Sequence, residues 1–308
     1  GLLGACGGGT SDGPRIEVSP ANAYLLTSNN RIIGVDLDDT EFARQGSLVG
    51  DGGFGIVTNT VARGQTGFVE EALEIGEQVL DIDYRNSEGL LYALTRIDTG
   101  ITVEGRIVIV DPLSGLIARR GTLTAATGDS YAELSPTESY TIDFDPDANL
   151  LRIIGSDKSN LEIDITSNAD ATAAPPPLAI VITREKISCA PACAAGTAFT
   201  DERRNTLPTR RFAIDINNIY DLVTEAGTVT ASRSLGISGI SSVNGFDINP
   251  SDNEGVAIFT VGSGQPSVYR VNTSATVSGN VASLPTSLPS LTTGESYTGL
   301  SMVTVANP

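Results

Sequence analysis

The sequence predicts an all-β protein, and specifically a β-propeller, from three observations. A phrase of alternating apolar and polar residues, then a turn of Asp, Asn, Pro and Gly, then a second apolar run, recurs along the chain. Its copies are centred on Asp83, Asp143 and Asp247, with a shortened copy at Ser301. No stretch carries the apolar spacing of a long helix. Repeated antiparallel units of this kind are typical of small sheets arranged radially.

The spacing of the copies predicts the number of blades. The intervals are 60 residues from Asp83 to Asp143, 104 residues from Asp143 to Asp247 and 54 residues from Asp247 to Ser301. The middle interval is about twice the others, so we expect one degenerate copy within it, at Gly196 to Asn205. Five four-stranded blades are therefore predicted, with six blades as the alternative.

The two ends of the chain are expected to share one sheet. The first apolar runs, Ala23 to Ser28 and Arg31 to Leu37, resemble the second and third strands of a blade. The run Gly299 to Val305 would supply the missing first strand and close the ring, which removes exposed sheet edges. We expect residues 21–308 to form a single propeller domain after a Gly-rich tail, residues 1–20.

Composition excludes several classes of function. The formal net charge is −18, so phosphate backbones would be repelled and nucleic acid is not expected as a partner. The chain has no His, which excludes Ser-His-Asp and Cys-His catalysis and most zinc or iron sites. It also has no Trp, which argues against a carbohydrate platform of stacked indole rings. No phosphate-binding Gly-rich motif is present. We predict that the protein is not an enzyme.

Carboxylates remain as candidate functional groups. One segment has oxygen-bearing side chains at alternate positions, as calcium loops do, but it lacks the central Gly and the distant Glu of such loops. These calcium candidates are Asp143, Asp145, Asp147 and Asn149. Alternatively, the repeated Asp residues satisfy backbone donors at a turn or at the ring centre. A pair of them would also suffice for acid/base hydrolysis of a glycoside. Because these Asp residues repeat from copy to copy, the architectural role is favoured, and no cofactor other than calcium is considered.

The N-terminal tail carries a candidate anchor. Leu3 to Cys6 has the form of a bacterial lipobox, in which a Cys becomes lipidated, and a Gly-rich stretch follows. Cys6 is therefore the candidate for lipid attachment, and a lipid there is the one expected contact with a membrane. Leu2 and Leu3 are candidates for contact with another copy of the chain, since an extended tail can occupy a groove or sheet edge of a neighbour.

Two further features interrupt the repeat. Cys189 and Cys193 flank a Pro-containing loop, and a local disulfide is expected, with free thiols and a metal site as alternatives. The segments 169–180 and 201–211 are expected to be inserted loops. The second segment holds the basic cluster of the chain, a candidate assembly surface that could pair with Glu70, Glu71 and Glu74 or be solvated. This cluster comprises Arg203, Arg204, Arg210 and Arg211.

Four phrases carry a resemblance to a known family. They are AYLLTSNNRIIGVDLD, GEQVLDIDYRNSEGLLYALT, SYTIDFDPDANLLRIIGSDKSNLEID and VNGFDINPSDNEGVAIFTV. They resemble a bacterial domain family of unknown function, over about residues 21–305. The resemblance implies a secreted or surface protein and assigns no functional residue.

Taken together, these observations predict an exported bacterial protein, extracellular or at the cell surface, with a structural and interaction role. We expect it to associate with itself, as the subunit of a filament joined through its N-terminal tail. The alternatives are a monomeric ligand-binding or glycan-binding module and a carboxylate-dependent glycoside hydrolase.

Overall fold

The fold is all-β, as expected. The computed structural model describes residues 21–37, 53–112, 114–165, 178–188, 196–199, 210–222, 227–250, 252–273, 281–283 and 288–303. Within those ranges the regular elements are 20 β-strands, and no helix occurs. None of the described segments is therefore a helix with the length and hydropathy needed to cross a membrane.

The first sheet combines strands from both ends of the described chain. In spatial order they are β20 (Tyr297–Met302), β1 (Ala23–Thr27), β2 (Arg31–Val35) and β3 (Phe54–Gly55). All neighbours are antiparallel, and the register places Leu25 opposite Leu300. The last strand of the chain is thus the hydrogen-bonded partner of the first.

The next eight strands form one sheet from two antiparallel groups of four. The first group is β4 (Gln78–Arg85), β5 (Leu90–Asp98), β6 (Val103–Val110) and β7 (Ile117–Ala125). The second group is β8 (Tyr140–Asp145), β9 (Leu150–Gly155), β10 (Asn160–Ile163) and β11 (Leu178–Thr183). Their outer strands β7 and β11 pair in parallel. The end strands β4 and β8 also contact each other, so the sheet nearly closes on itself.

The remaining strands form two antiparallel sheets. One contains β12 (Gly196–Phe199), β13 (Arg211–Ile214), β14 (Asn218–Leu222) and β15 (Val229–Ser234). The other contains β16 (Ile240–Ile248), β17 (Gly255–Val261), β18 (Ser267–Val271) and β19 (Val281–Ser283). The degenerate copy expected near residue 200 therefore contributes the strand β12.

Two expected insertions contain strands instead. Leu178–Thr183 is the strand β11, although Leu178 to Ile180 belonged to a segment expected to be a loop. Arg211 is likewise the first residue of β13 rather than part of an exposed insertion. The reason is packing: Ala179, Val181 and Phe212 are fully buried, and their burial stabilises extended backbone.

The turn after β8 shows how the repeated phrase forms a hairpin. The Asp145 carboxylate accepts the backbone N–H groups of Asp147 and Ala148, both at 3.1 Å. Asn149 closes the turn in the left-handed region with φ of 59°, a conformation that Asn tolerates better than most residues. Asn253, after β16, has φ of 61° and the same backbone bond to a residue four positions earlier. The pattern Asp or Asn, then Pro, then Asn three residues after the Pro therefore predicts both the turn and its geometry.

Five strands, which we call the inner strands, connect consecutive groups. β20 contacts β4, β4 contacts β8, β8 contacts β12, β12 contacts β16, and β16 contacts β20. Five apolar clusters fill the spaces between neighbouring groups. The largest is enclosed by the eight-stranded sheet and includes Leu94, Ile107 and Ile153. Burial of these apolar surfaces is the main force that holds the groups together.

Candidate functional site

Three repeated Asp side chains meet at the centre of the inner strands. Asp83 lies on β4, Asp143 on β8 and Asp247 on β16, and their exposed fractions are 2%, 1% and 5%. One carboxylate oxygen from each lies within 4.8 Å of the other two. We call these three residues the carboxylate cluster. Among the described residues, the carboxylate cluster is the group of side chains that could supply three carboxylate oxygens to a bound cation.

The oxygens of the cluster hold neighbouring inner strands together. Asp83 accepts the backbone N–H of Phe144 on β8 at 2.8 Å, and Asp247 accepts the N–H of Met302 on β20 at 2.6 Å. In the shortened copy, the Ser301 hydroxyl accepts the N–H of Tyr84 on β4 at 2.7 Å. In each case the N–H donor comes from the next inner strand. It is the residue directly after the position that is equivalent to Asp83 in that copy of the repeat. The repeated side chain therefore acts as a bridge between strands that share no backbone ladder.

Burial raises the pKa values of Asp83 and Asp247. Desolvation raises the pKa of Asp83 to about 6, and the hydrogen bond from Phe144 opposes this shift. The Ser301 hydroxyl also donates to Asp83 at 3.2 Å. Burial raises the pKa of Asp247 well above its ordinary value, and the nearby charge of Asp83 adds to this effect. Negative charge on Asp83 and Asp247 is therefore costly, so both carboxyl groups hold their protons to a higher pH than exposed Asp side chains do.

Asp81 extends the cluster and was not singled out by sequence. It lies two residues before Asp83, on the same face of β4, because side chains alternate along a strand. It is 7% exposed and accepts the N–H of Ile142 at 2.8 Å, and burial raises its pKa well above the ordinary value. The alternation of Asp at positions 81 and 83 was the signal that could have identified it.

The four calcium candidates do not converge on one point. Asp143 belongs to the carboxylate cluster, whereas Asp145 forms an ion pair with Arg152 at 3.1 Å and caps its own turn. Asn149 accepts a hydrogen bond from Arg85, and Asp147 is exposed on the turn. The Asp145 and Asn149 oxygens therefore bind protein donors, whereas all the ligands of a calcium loop point at one ion.

A buried group of ion pairs was also not predicted from the sequence. Arg152 is 1% exposed and bonds both Asp145 and Glu162, and Arg184 reaches the other oxygen of Glu162 at 2.8 Å. Arg211 donates to Asn160 at 3.0 Å. Burial, with the charge of Arg152, lowers the pKa of Arg211 to about 9. No local pattern signals such burial, since charged residues are expected at the surface.

The assembly candidates are only partly described. Arg210 binds the carboxylate of Asp221 at 2.6 Å and stacks over Phe212. Arg211 is 1% exposed, so it lies inside the molecule and not on a surface that could touch a neighbour. The other candidate residues named from the sequence lie outside the described residues, namely Leu2, Leu3, Cys6, Cys189, Cys193, Arg203 and Arg204.

The acidic residues proposed as partners of the basic cluster have other partners. Glu70 pairs with Arg63 at 2.9 Å, and Glu74 pairs with Arg63 at 3.1 Å and with Arg106 at 2.8 Å. This ionic group is local to the connection between β3 and β4 and to β6. Glu70 and Glu74 are therefore already paired with Arg63 and Arg106.

Comparisons with known proteins give a family and two distant structures. The model of a family described as "Domain of unknown function (DUF4394)" matches residues 57–292. No curated protein matches the chain. A solved protein of unknown function from Bacteroides thetaiotaomicron VPI-5482 is similar at 10% identity and a TM-score of 0.42, over 91% of this chain and 62% of that one. The major allergen Mala s 1 of Malassezia sympodialis is similar at 12% identity and a TM-score of 0.41, over 86% and 78%.

Proposed function

Because the chain belongs to the DUF4394 family of unknown function, we propose a role from its own residues. It is an exported bacterial five-bladed β-propeller that acts as a structural and interaction protein outside the cell or on its surface. Five groups of four strands support the blade count, with β20 counted in the blade of β1. The circuit of contacts among the inner strands and the five apolar clusters between neighbouring groups support ring closure.

The use of the repeated carboxylates is the observation that carries the structural role. Asp83 and Asp247 each accept a backbone N–H from the next inner strand, and Ser301 does the same in the shortened copy. Acid/base hydrolysis of a glycoside requires carboxylates that face the substrate. Side chains that bridge strands are poorly placed for that task, so the geometry favours a scaffold over a hydrolase.

Export and self-assembly are supported by the sequence. The lipobox-like segment ending at Cys6, the Cys189 and Cys193 pair and the charge of −18 fit a protein outside the cytoplasm. The tail, residues 1–20, is long enough to reach a neighbouring copy, since an extended chain spans about 3.3 Å per residue. Tail-to-body contacts repeated from copy to copy are head-to-tail contacts, which generate a filament when the rotation between copies does not close a ring.

Light scattering and negative-stain electron microscopy test this proposal. The full chain, purified from a bacterial surface fraction, should form regular filaments, whereas a variant that lacks residues 1–20 should be a folded monomer. A monodisperse monomer of the full chain would refute self-assembly. An experimental map with six blades, or with an open arrangement of sheets, would refute the five-bladed ring.

A further inference from the structure

The strand β15 is the outermost strand of its sheet, and one of its edges is open. The sheet order is β12, β13, β14 and β15, so β15 has a partner strand on one side alone. Among the described residues, the backbone partners of β15 lie on β14, apart from the Ser188 hydroxyl, which accepts the N–H of Val229 at 2.9 Å. The other edge of β15 therefore presents backbone N–H and C=O groups that a further strand could bind.

The outer strands of the other groups are paired or short. β7 and β11 pair with each other, and β3 and β19 have two and three residues. By contrast, β15 has six residues, and its sequence VTASRS contains neither Lys nor Pro. Lys and Pro are residues by which sheet proteins commonly prevent pairing at an edge. Among the described strands, β15 is therefore the outer strand best suited to accept a partner.

The register with β14 shows which backbone groups of β15 point outward. Along an antiparallel ladder, hydrogen-bonded and non-hydrogen-bonded pairs of residues alternate. Leu235, directly after β15, donates its N–H to Asn217 at 2.8 Å, so every second residue before Leu235 directs its backbone groups at β14. The residues between them, Ser232 and Ser234, direct their N–H and C=O groups away from β14.

A second copy of the same edge is a suitable partner for it. The strand has no carboxylate, although the protein carries a net charge of −18, so the repulsion between two copies is weakest at a surface of this kind. Its one charged residue, Arg233, is paired with Asp221 at 3.2 Å. Small exposed side chains let two backbones approach to the spacing of about 4.8 Å in a sheet. These side chains belong to Thr230, Ala231, Ser232 and Ser234.

The positions of the outward groups and of Arg233 select one antiparallel register. With Ser232 opposite Ser232 of the second copy, the two residues exchange backbone hydrogen bonds, and Arg233 lies opposite Ala231. A pairing centred on Arg233 instead would place two like charges directly opposite each other, which destabilises a pair of strands. We propose that two copies of the chain pair through β15, with Ser232 on the two-fold axis, to form one continuous sheet. This side-by-side contact is separate from the tail contact proposed above.

Disulfide trapping of the full chain tests the contact and its register. Residues opposite each other in a hydrogen-bonded pair have Cα atoms about 5.5 Å apart, which is within the range of a disulfide. Ser232→Cys should therefore form a covalent dimer on mild oxidation. Ser234→Cys is the matched control, because two copies of Ser234 would lie four residue steps apart, about 14 Å, which is too far for a disulfide. The wild-type chain measures the background from its own three Cys residues, and mass spectrometry of the dimer identifies the linked position.

A second pair of variants tests the role of the outward N–H. In the Ser232→Cys chain, Ser234→Pro removes an N–H that β14 does not use, and an edge strand tolerates Pro at such a position. Two symmetric hydrogen bonds are lost, so covalent dimer should form about tenfold more slowly. Ser234→Ala in the same chain keeps the N–H and should leave the rate unchanged. Urea denaturation of each variant confirms that the fold is retained.

Two outcomes would overturn the inference. The first is a covalent dimer that forms no faster in Ser232→Cys than in Ser234→Cys, which would mean that β15 does not pair with itself in this register. The second is an equal rate in the Pro and Ala variants, which would mean that the backbone edge is not used. Both outcomes are measured at β15, with the N-terminal tail unchanged, so they are distinguishable from a failure of the tail to form filaments.

Discussion

The wild-type protein should lose stability as the pH rises, and replacing Asp83 with Asn should reduce that loss. Burial raises the pKa of Asp83 from 3.8 to about 6 in the folded state. The folded protein therefore holds this proton more tightly than the unfolded chain, and stability falls as the pH rises through about 6. A shift of about 2 pH units corresponds to roughly 3 kcal/mol of unfolding free energy. Asn has no charge to bury, and its side-chain oxygen can still accept the N–H of Phe144.

Urea denaturation at about pH 4 and about pH 8 measures this effect. The wild-type free energy of unfolding should fall more steeply between these values than that of Asp83→Asn, and the difference between the two slopes measures Asp83 together with its effect on the pKa of Asp247. Asp129→Asn is a control of opposite sign, because hydrogen bonds, chiefly from the Thr183 hydroxyl, lower the pKa of Asp129. Stability from Asp129 is therefore lost on acidification. Parallel profiles for the wild type and Asp83→Asn would refute the reasoning.

Three other substitutions test the packing and the buried polar groups. Gly245→Ala should lower the free energy of unfolding by about 1–3 kcal/mol, because the added Cβ would lie 2.7 Å from the Leu300 side chain. The control Gly55→Ala meets no atom within 4 Å and should leave the free energy of unfolding in urea unchanged. Asn59→Ala removes hydrogen bonds to Val69 and should cost roughly 2 kcal/mol, with faster hydrogen exchange in that connection. Arg152→Met leaves the buried Asp145 carboxylate without its ion-pair partner and Glu162 with Arg184 alone, and it should lower the free energy of unfolding by about 3–5 kcal/mol in the same denaturation assay.

Much of the fold could be predicted from the repeated phrase. The alternation around Asp83 and Asp143 located the strands β4 and β8, because one side chain in two must be buried. The turn residues that follow located the hairpins, because Asp and Asn satisfy local backbone groups there. The doubled interval between Asp143 and Asp247 predicted a further copy near residue 200, where the repeated phrase is only partly kept, and β12 lies there. The period of the apolar residues and the residue types of the turns are local features, so a single sequence is enough to identify them.

The parallel pairing of β7 with β11 could not be predicted. These strands lie in different copies of the repeat, and their contact depends on how two groups of strands sit against each other. Leu178 to Ile180, the start of β11, belong to the segment 169–180, which breaks the repeat pattern and was therefore expected to be an inserted loop. The burial of β11, rather than its local pattern, makes it a strand.

The carboxylate cluster was only half predicted. The equivalence of its Asp residues followed from the repeat, and so did the idea that they satisfy backbone donors. Which donors they bind did not follow, because the Phe144 N–H and the Met302 N–H belong to other copies of the repeat. The hydrogen bond between Arg85 and Asn149 was not predicted at all, since these residues lie 64 residues apart in the sequence and come together only in the folded chain.

The hydrogen-bonded pairing of β1 with β20 has a consequence for biosynthesis. Thr27 bonds Glu295, which is 268 residues further along the chain. A ribosome therefore releases the first strands long before it has made their partner. Until β20 has been synthesised, Leu25 and Leu26, which are fully buried in the native protein, lack this partner strand and are open to contact with chaperones.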